Sequence, residues 1–222
     1  MRPQPAAADA RMPRSFFARP AAVVARAMLG VDLCRRHRSG VVLRARIVET
    51  EAYMGPEDQA SHARNGTRTS RNEPMWMAPG TAYVYFTYGM HHCFNIACLR
   101  EGHPAAVLIR AARVLEGEAV IRSLRGGGQA RPLHTEALLR GPACLCKGLG
   151  IGPELSGRDL CGPDGEVWFE AAAGLPRPRI GKSPRVGLVD KYGDRALWNA
   201  KPLRFFIEDE RCVSGPRPRR GG

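Results

Sequence analysis

Glu51 and Tyr53, two residues apart in Ile47-Val48-Glu49-Thr50-Glu51-Ala52-Tyr53, are the first residues whose types and spacing suggest chemistry. The run is β-rich and enters a turn at Gly55-Pro56. Side chains alternate along a strand, so Glu51 and Tyr53 share a face and set a carboxylate beside an aromatic wall. A second concentration follows in Tyr83-Val84-Tyr85-Phe86-Thr87-Tyr88-Gly89-Met90. There Tyr83 and Tyr85 share one face of a strand, and Tyr88-Gly89 makes a hairpin tip that carries a tyrosine. Residues 47–95 hold four of the five tyrosines and three of the six histidines, far more than their share of the length. Taken singly, each has a plainer role: Glu51 as an ion-paired strand residue, the tyrosines as sheet packing, His62 as solvated surface. Their co-occurrence in one span is what raises chemistry above packing.

The elements that must position these residues are mostly strands. Arg19 to Gly30 reads as a scaffold helix with Pro20 near its start and Gly30 past its end. Val31 to Arg36 and Gly40 to Glu51 read as strands joined by the His37-Arg38-Ser39 turn, the second delivering Glu51. Residues 55–80 lack periodicity and form a long loop, of the kind that in a compact domain is usually functional. His92 to Cys98 and Ala105 to Ala112 are two more strands, and Arg110 inside the second demands a partner. Further along come a helix over Leu115 to Leu124, partial helix over Thr135 to Leu149, and a short strand at Val167-Trp168-Phe169. Closing strands are expected at Pro184 to Val189 and Pro202 to Ile207.

Bulk properties bound the partners. Of 222 residues, 34 are Lys or Arg and 21 Asp or Glu, a net charge of +13 that solubility does not require and that points to a polyanion, nucleic acid before an acidic membrane surface. No apolar run approaches the ~18 residues of a membrane span, and Met1 to Arg14 lacks the apolar stretch of a secretory signal. Seven cysteines at irregular spacing argue for ordinary thiols in a reducing compartment, and Cys144-Leu145-Cys146 falls outside zinc-site spacing.

The ordered motifs Glu49-Thr50-Glu51-Ala52-Tyr53, Gly55-Pro56-Glu57-Asp58 with His62, Arg68-Thr69-Ser70-Arg71-Asn72, Pro79-Gly80-Thr81, Tyr83-Val84-Tyr85, Tyr88-Gly89-Met90 and Asn95 resemble the alkyladenine (3-methyladenine) DNA glycosylase family. The resemblance continues through Val107-Leu108-Ile109-Arg110-Ala111, Gly141-Pro142, Arg185-Val186-Gly187 and Lys201-Pro202-Leu203-Arg204-Phe205, covering residues 14–208. It implies a mixed α/β (α+β) domain with a curved, mostly antiparallel sheet and flanking helices over 15–208; the composition of the two ends adds the expectation of a flexible basic arm (1–14) and a disordered basic tail (209–222). It implies a monofunctional glycosylase that flips alkylated, and also deaminated, purines out of double-stranded DNA and hydrolyses the N-glycosidic bond.

Roles follow by the same resemblance. Glu51 is the general base, with Arg110 and the backbone carbonyl of Val186 holding the water. Tyr53, His62 and Tyr85 wall the base pocket, and Asn95 lies on its floor. Tyr88 and Met90 intercalate, while Arg64, Arg68, Arg71 and Asn72 contact phosphates. No metal, cofactor or membrane is implied, and the protein is expected to act as a monomer in a bacterial nucleoid or a nucleus. Two departures stand out: Cys144 where many members carry Lys, and His91-His92 after the tip. Competing readings are a non-catalytic or RNA-binding protein, and a bifunctional glycosylase whose nucleophile would be Lys147, Lys182, Lys191 or Lys201.

Overall fold

The β-branched and alanine-rich runs of the sequence pair as antiparallel strands in a computed structural model, which describes residues 11–87, 89–126, 133–172, 178–188 and 193–216. The strands are β1 (Asp32–Arg36), β2 (Val42–Tyr53), β3 (Ala82–Thr87), β4 (His91–Cys98), β5 (Ala105–Glu116), β6 (Val167–Glu170), β7 (Ile180–Ser183) and β8 (Arg204–Ile207). They form one sheet in the order β3-β4-β5-β2-β1-β6. One edge of β2 is divided between two partners: Val42 to Arg46 pair with β1, and Glu49 to Glu51 pair with β8, which carries β7. The helices are α1 (Arg14–Phe17), α2 (Ala21–Ala27), α3 (Glu118–Leu124), α4 (Pro142–Leu149) and α5 (Gly193–Ala200). The mixed α/β class and the antiparallel sheet agree with the sequence reading.

The core lies between the sheet and its helices. Val24, Ala25 and Met28 of the α2 region and Leu145 and Leu149 of α4 pack with Val107 and Ile109 of β5 and are buried with them. Thr50 fastens α2 to the sheet by donating its hydroxyl to Ala25 O at 2.8 Å.

A paired irregularity in β2 and β5 decides which side chains leave this core. Leu43, Ala45 and Ile47 face it, and strict alternation would send Glu49, Glu51 and Tyr53 after them. Val48 and Arg110 both drop out of the β2–β5 register, between Ile47↔Ala112 and Thr50↔Ile109. Beyond that bulge Thr50 meets α2 and Ala52 joins the core, while Glu49, Glu51 and Tyr53 turn to the opposite face.

Several expected elements differ. β5 continues through Leu115 and Glu116, so the helix starts only at Glu118, after Gly117 at φ +79°. A side chain there would put Cβ 2.5 Å from Leu43 Cδ2, which makes glycine the residue for this turn. Residues 184–188 form no strand, because their backbone and Arg185 are engaged in the site; the strand lies just before them, in β7. Helix α5, which the sequence reading did not name, carries no core face, since none of its residues is buried.

The chain ends also depart from expectation. Residues 1–10 lie outside those described, but Arg11 stacks on Trp168 and Met12 N–H donates to Phe169 O at 2.8 Å. At the other end, the expected disordered tail begins too early: Cys212 and Val213 are buried against Val48, Ala111 and Phe206.

Candidate active site

Five strands contribute one transverse row: Tyr83 pairs with Asn95, Asn95 with Leu108, Leu108 with Glu51, and Glu51 with Arg204. Residues opposite one another across a sheet point to the same face, so this register sets the row on one surface. Tyr83, Asn95, Leu108 and Glu51 line a cavity of about 350 Å³, completed by His62 from the long loop and Val186 from the irregular segment.

Glu51 lies at its wall and is fully buried. Its Oε1 accepts from Val186 N–H at 2.7 Å and is 3.2 Å from Arg110 Nη1; its Oε2 accepts from Tyr53 OH at 3.0 Å. Each carboxylate oxygen has two lone pairs, so Oε1 is filled and Oε2 keeps one acceptor position. Burial first, and the Glu51 charge second, push the Tyr53 hydroxyl well above its ordinary value, so it remains a donor.

Arg110 serves two carboxylates, because its Nε also donates to Glu49 Oε1 at 3.0 Å. Glu49 exposes no surface and accepts from Arg204 Nε and from Ser214 N–H, both at 2.6 Å. Burial pushes the Glu49 carboxyl up, but Arg110, Arg204 and the Ser214 amide outweigh it and hold the group below the usual carboxylate range.

The aromatic wall is a tight cluster. Tyr83 and Tyr85 rings lie 5.3 Å apart, and the His62 ring meets Tyr85 edge-on at 4.6 Å. His62 Nδ1 is 2.8 Å from Tyr83 OH. Packing of the imidazole, then Arg71 and Arg64, push its pKa down to about 4, so at neutral pH the ring is uncharged. Asn95 is buried with Nδ2 directed at Tyr83 O (3.1 Å) and Cys93 O (3.4 Å).

The profile of the methylpurine-DNA glycosylase family matches residues 15–211 of this chain. The chain belongs to that family. It is 44% identical over 209 residues to the human "DNA-3-methyladenine glycosylase", covering 92% of this chain and 68% of that protein. The mouse protein of the same name is 43% identical over 211 residues, covering 92% and 61%. A "Putative 3-methyladenine DNA glycosylase" of Methanocella arvoryzae is 44% identical over 207 residues, covering 93% and 97%. The chain thus spans about two thirds of the mammalian relatives and nearly all of the archaeal one.

In this methylpurine-DNA glycosylase family member the sequence-predicted residues separate into groups. Glu51, Tyr53, His62, Tyr85, Asn95, Arg110 and Val186 come together at the cavity. At Val186 it is the amide N–H that touches Glu51, where the resemblance implied the carbonyl. Arg64, Arg68 and Arg71 lie on the loop that carries His62, outside the cavity lining; Arg68 pairs with Glu73, and Arg71 lies 5.3 Å over the Tyr85 ring and donates to Phe86 O at 2.9 Å. Asn72 is corrected: it is buried, its Nδ2 donating to His62 O and Thr67 O and its Oδ1 accepting from Thr69 N–H, so it holds the loop and cannot reach a phosphate. Met90 is 72% exposed at the tip of the β3–β4 hairpin, with Phe86 exposed nearby. Tyr88 lies outside the described residues. Of the lysines considered as nucleophiles, Lys147, Lys182 and Lys201 do not line the cavity, and Lys191 is not among the described residues.

Sequence reasoning missed Glu49, Asp58, Arg185 and Arg204 as site residues. The Glu49-x-Glu51 spacing carried the signal for the first, since two carboxylates two apart on a strand share a face. Among the described residues no cluster could hold a metal ion, and no helix is long and apolar enough to cross a membrane.

Proposed function

We propose that this chain is a monofunctional DNA repair glycosylase that excises alkylated and deaminated purines from duplex DNA. The observation that carries the reading is the fully buried Glu51 carboxylate, held by Arg110 and Val186 N–H on the wall of an aromatic cavity of about 350 Å³. Buried charge of this kind, with one acceptor position left open, is costly for a protein that does no chemistry.

The sugar–base bond cannot be reached inside the base stack, so the nucleotide must be turned out, at a cost of a few kcal/mol. Met90, exposed at the hairpin tip, fills the vacated space, together with Tyr88, to which the family resemblance gives the same role. The extruded purine stacks among Tyr53, Tyr85 and His62, where contacts of about 1–3 kcal/mol per base tolerate changes at the ring edge. Asn95, spent on backbone carbonyls, is a fixed polar floor that guanine's exocyclic amine would strike.

A water on the open Oε2 position of Glu51 attacks C1′ and gives its proton to the carboxylate. The C1′–N bond breaks, its electron pair leaving with the purine. The Glu51 charge stabilises positive charge developing on the sugar, and Arg110 keeps the carboxylate oriented. Arg64, Arg68 and Arg71 meet the phosphate backbone, whose contacts position the duplex without reading sequence. The protein acts as a monomer wherever the genome lies, in nucleoid or nucleus.

The test is base release from duplexes carrying 3-methyladenine, 7-methylguanine, hypoxanthine or ethenoadenine. Release of at least one of them, without a borohydride-trappable DNA adduct, is expected. A trapped adduct would instead favour a lysine nucleophile, and no release from any would remove the enzymatic reading.

A further inference from the structure

One short segment near the C-terminus, Ser214-Gly215-Pro216, touches every group that surrounds the Glu51 carboxylate except Tyr53. Ser214 N–H donates to Glu49 Oε2 at 2.6 Å, and Ser214 Oγ accepts from Arg110 Nη2 at 3.3 Å. Pro216 O accepts from Arg204 Nη1 at 2.7 Å, and Arg204 in turn binds Glu49. Gly215 has no room for a side chain: a Cβ there would lie 2.8 Å from both Val186 Cγ2 and Arg204 Nη2. The segment is anchored from behind by buried Cys212 and Val213 and by Arg140, whose Nε donates to Val213 O at 3.0 Å. The family match ends at residue 211, just short of it.

Taking Glu51 as the base proposed above, we infer that Ser214-Gly215-Pro216 is a clasp of positioning residues, which touches no substrate but holds Arg110 and Val186 against Glu51. Arg110 has two carboxylates within reach and must divide its donors between them. The Ser214 amide fills Glu49 from the far side, and the Ser214 hydroxyl takes the second terminal nitrogen of Arg110. With both in place, Nη1 is left for Glu51. Gly215 works sterically: with only hydrogen at its α-carbon, Val186 can stand close enough to present its N–H to Oε1. Displacing a supporting group by about 1 Å is enough to cost about a hundred-fold in rate.

The experiment is single-turnover excision across a pH series, beside affinity for duplex DNA with an abasic-site analogue, for the parent, Gly215→Val, Ser214→Thr and Glu49→Gln. Gly215→Val should lose about a hundred-fold in excision rate while keeping the parent's affinity. Ser214→Thr keeps both the amide and the hydroxyl and should keep the parent rate. Glu49→Gln is near-isosteric and removes one of the two charges Arg110 serves, so it should lower the rate and displace the acidic limb of the pH–rate profile. That displacement would not follow from loosened packing alone. Should Gly215→Val fail to fold, Glu49→Gln decides. Gly215→Val and Glu49→Gln proteins that excise at the parent rate with the parent profile would overturn the clasp alone, whereas a parent that releases no base would overturn it together with the proposed activity.

Discussion

Arg185 grips Asp58 with both terminal nitrogens, Nη1 to Oδ2 at 2.5 Å and Nη2 to Oδ1 at 2.8 Å, and neither side chain exposes any surface. Asp58 also accepts from the backbone of Met54 and Ala60, and Arg185 donates to Ala52 O and lies 4.6 Å over the Tyr53 ring. The pair therefore ties the loop after β2 to the segment that presents Val186. Removing one partner strands the other as a buried charge, at a cost of about 3–5 kcal/mol. Asp58→Asn should lower the unfolding free energy by that amount in urea titration and slow excision as well. An unchanged midpoint would refute the clamp.

Glu51→Gln keeps the shape of the side chain and removes its capacity to take a proton. A positioned general base is worth about 10²–10⁴-fold, and a loss in that range is expected in single-turnover base release. Affinity for duplex DNA with an abasic-site analogue should stay at the parent's level. If binding fell together with turnover, Glu51 would be holding the cavity's shape and not the water.

Arg71 and Asn72 are neighbours with opposite fates, the first exposed over the Tyr85 ring and the second buried within the loop. Each phosphate contact adds about 0.9 to the slope of log K against log salt. Arg71→Ala should reduce that slope by about one and weaken binding across all sequences. Asn72→Ala should leave the slope alone and lower thermal stability, since three backbone partners are lost at once. Equal slopes for Arg71→Ala and the parent would count against a phosphate contact there.

Much of this arrangement could be read from the chain before any coordinates. The strands around Glu51, Tyr85 and Asn95 announced themselves through alternation, and so did the turn glycines. What alternation hides is the bulge at Val48 and Arg110: a regular β2 would point Glu49 and Glu51 into the core, and only the register shift turns them to the cavity. Partners distant in sequence were also out of reach. Asp58 and Arg185 are 127 residues apart, and Glu49 and Ser214 are 165 apart, so no local pattern links them. Asn72 misled for a different reason: a polar residue among arginines resembles surface, and its burial follows from satisfying loop backbone groups.

His62 gives a stability prediction whose sign can be worked through. Packing, reinforced by Arg71 and Arg64, lowers its folded pKa to about 4 from an ordinary 6.5. Between those values the unfolded chain binds a proton that the folded chain refuses, so folding becomes less favourable as the medium is acidified. The contribution of neutral His62 is thus complete above pH 6.5 and is lost as pH falls through that value toward about 4. Glu49 does not interfere in the upper part of this window. Its folded pKa is depressed from 4.5, so its contribution is full above that value and fades only at lower pH. His62→Gln cannot take up the proton, and because His62 is exposed, solvent screening should keep the effect modest. The fall in melting temperature between pH 7 and pH 5 should be smaller in His62→Gln than in the parent, measured by scanning fluorimetry in matched ionic strength. Identical falls would mean that the ring is not held neutral by its surroundings, and that the aromatic wall admits charge as readily as water does.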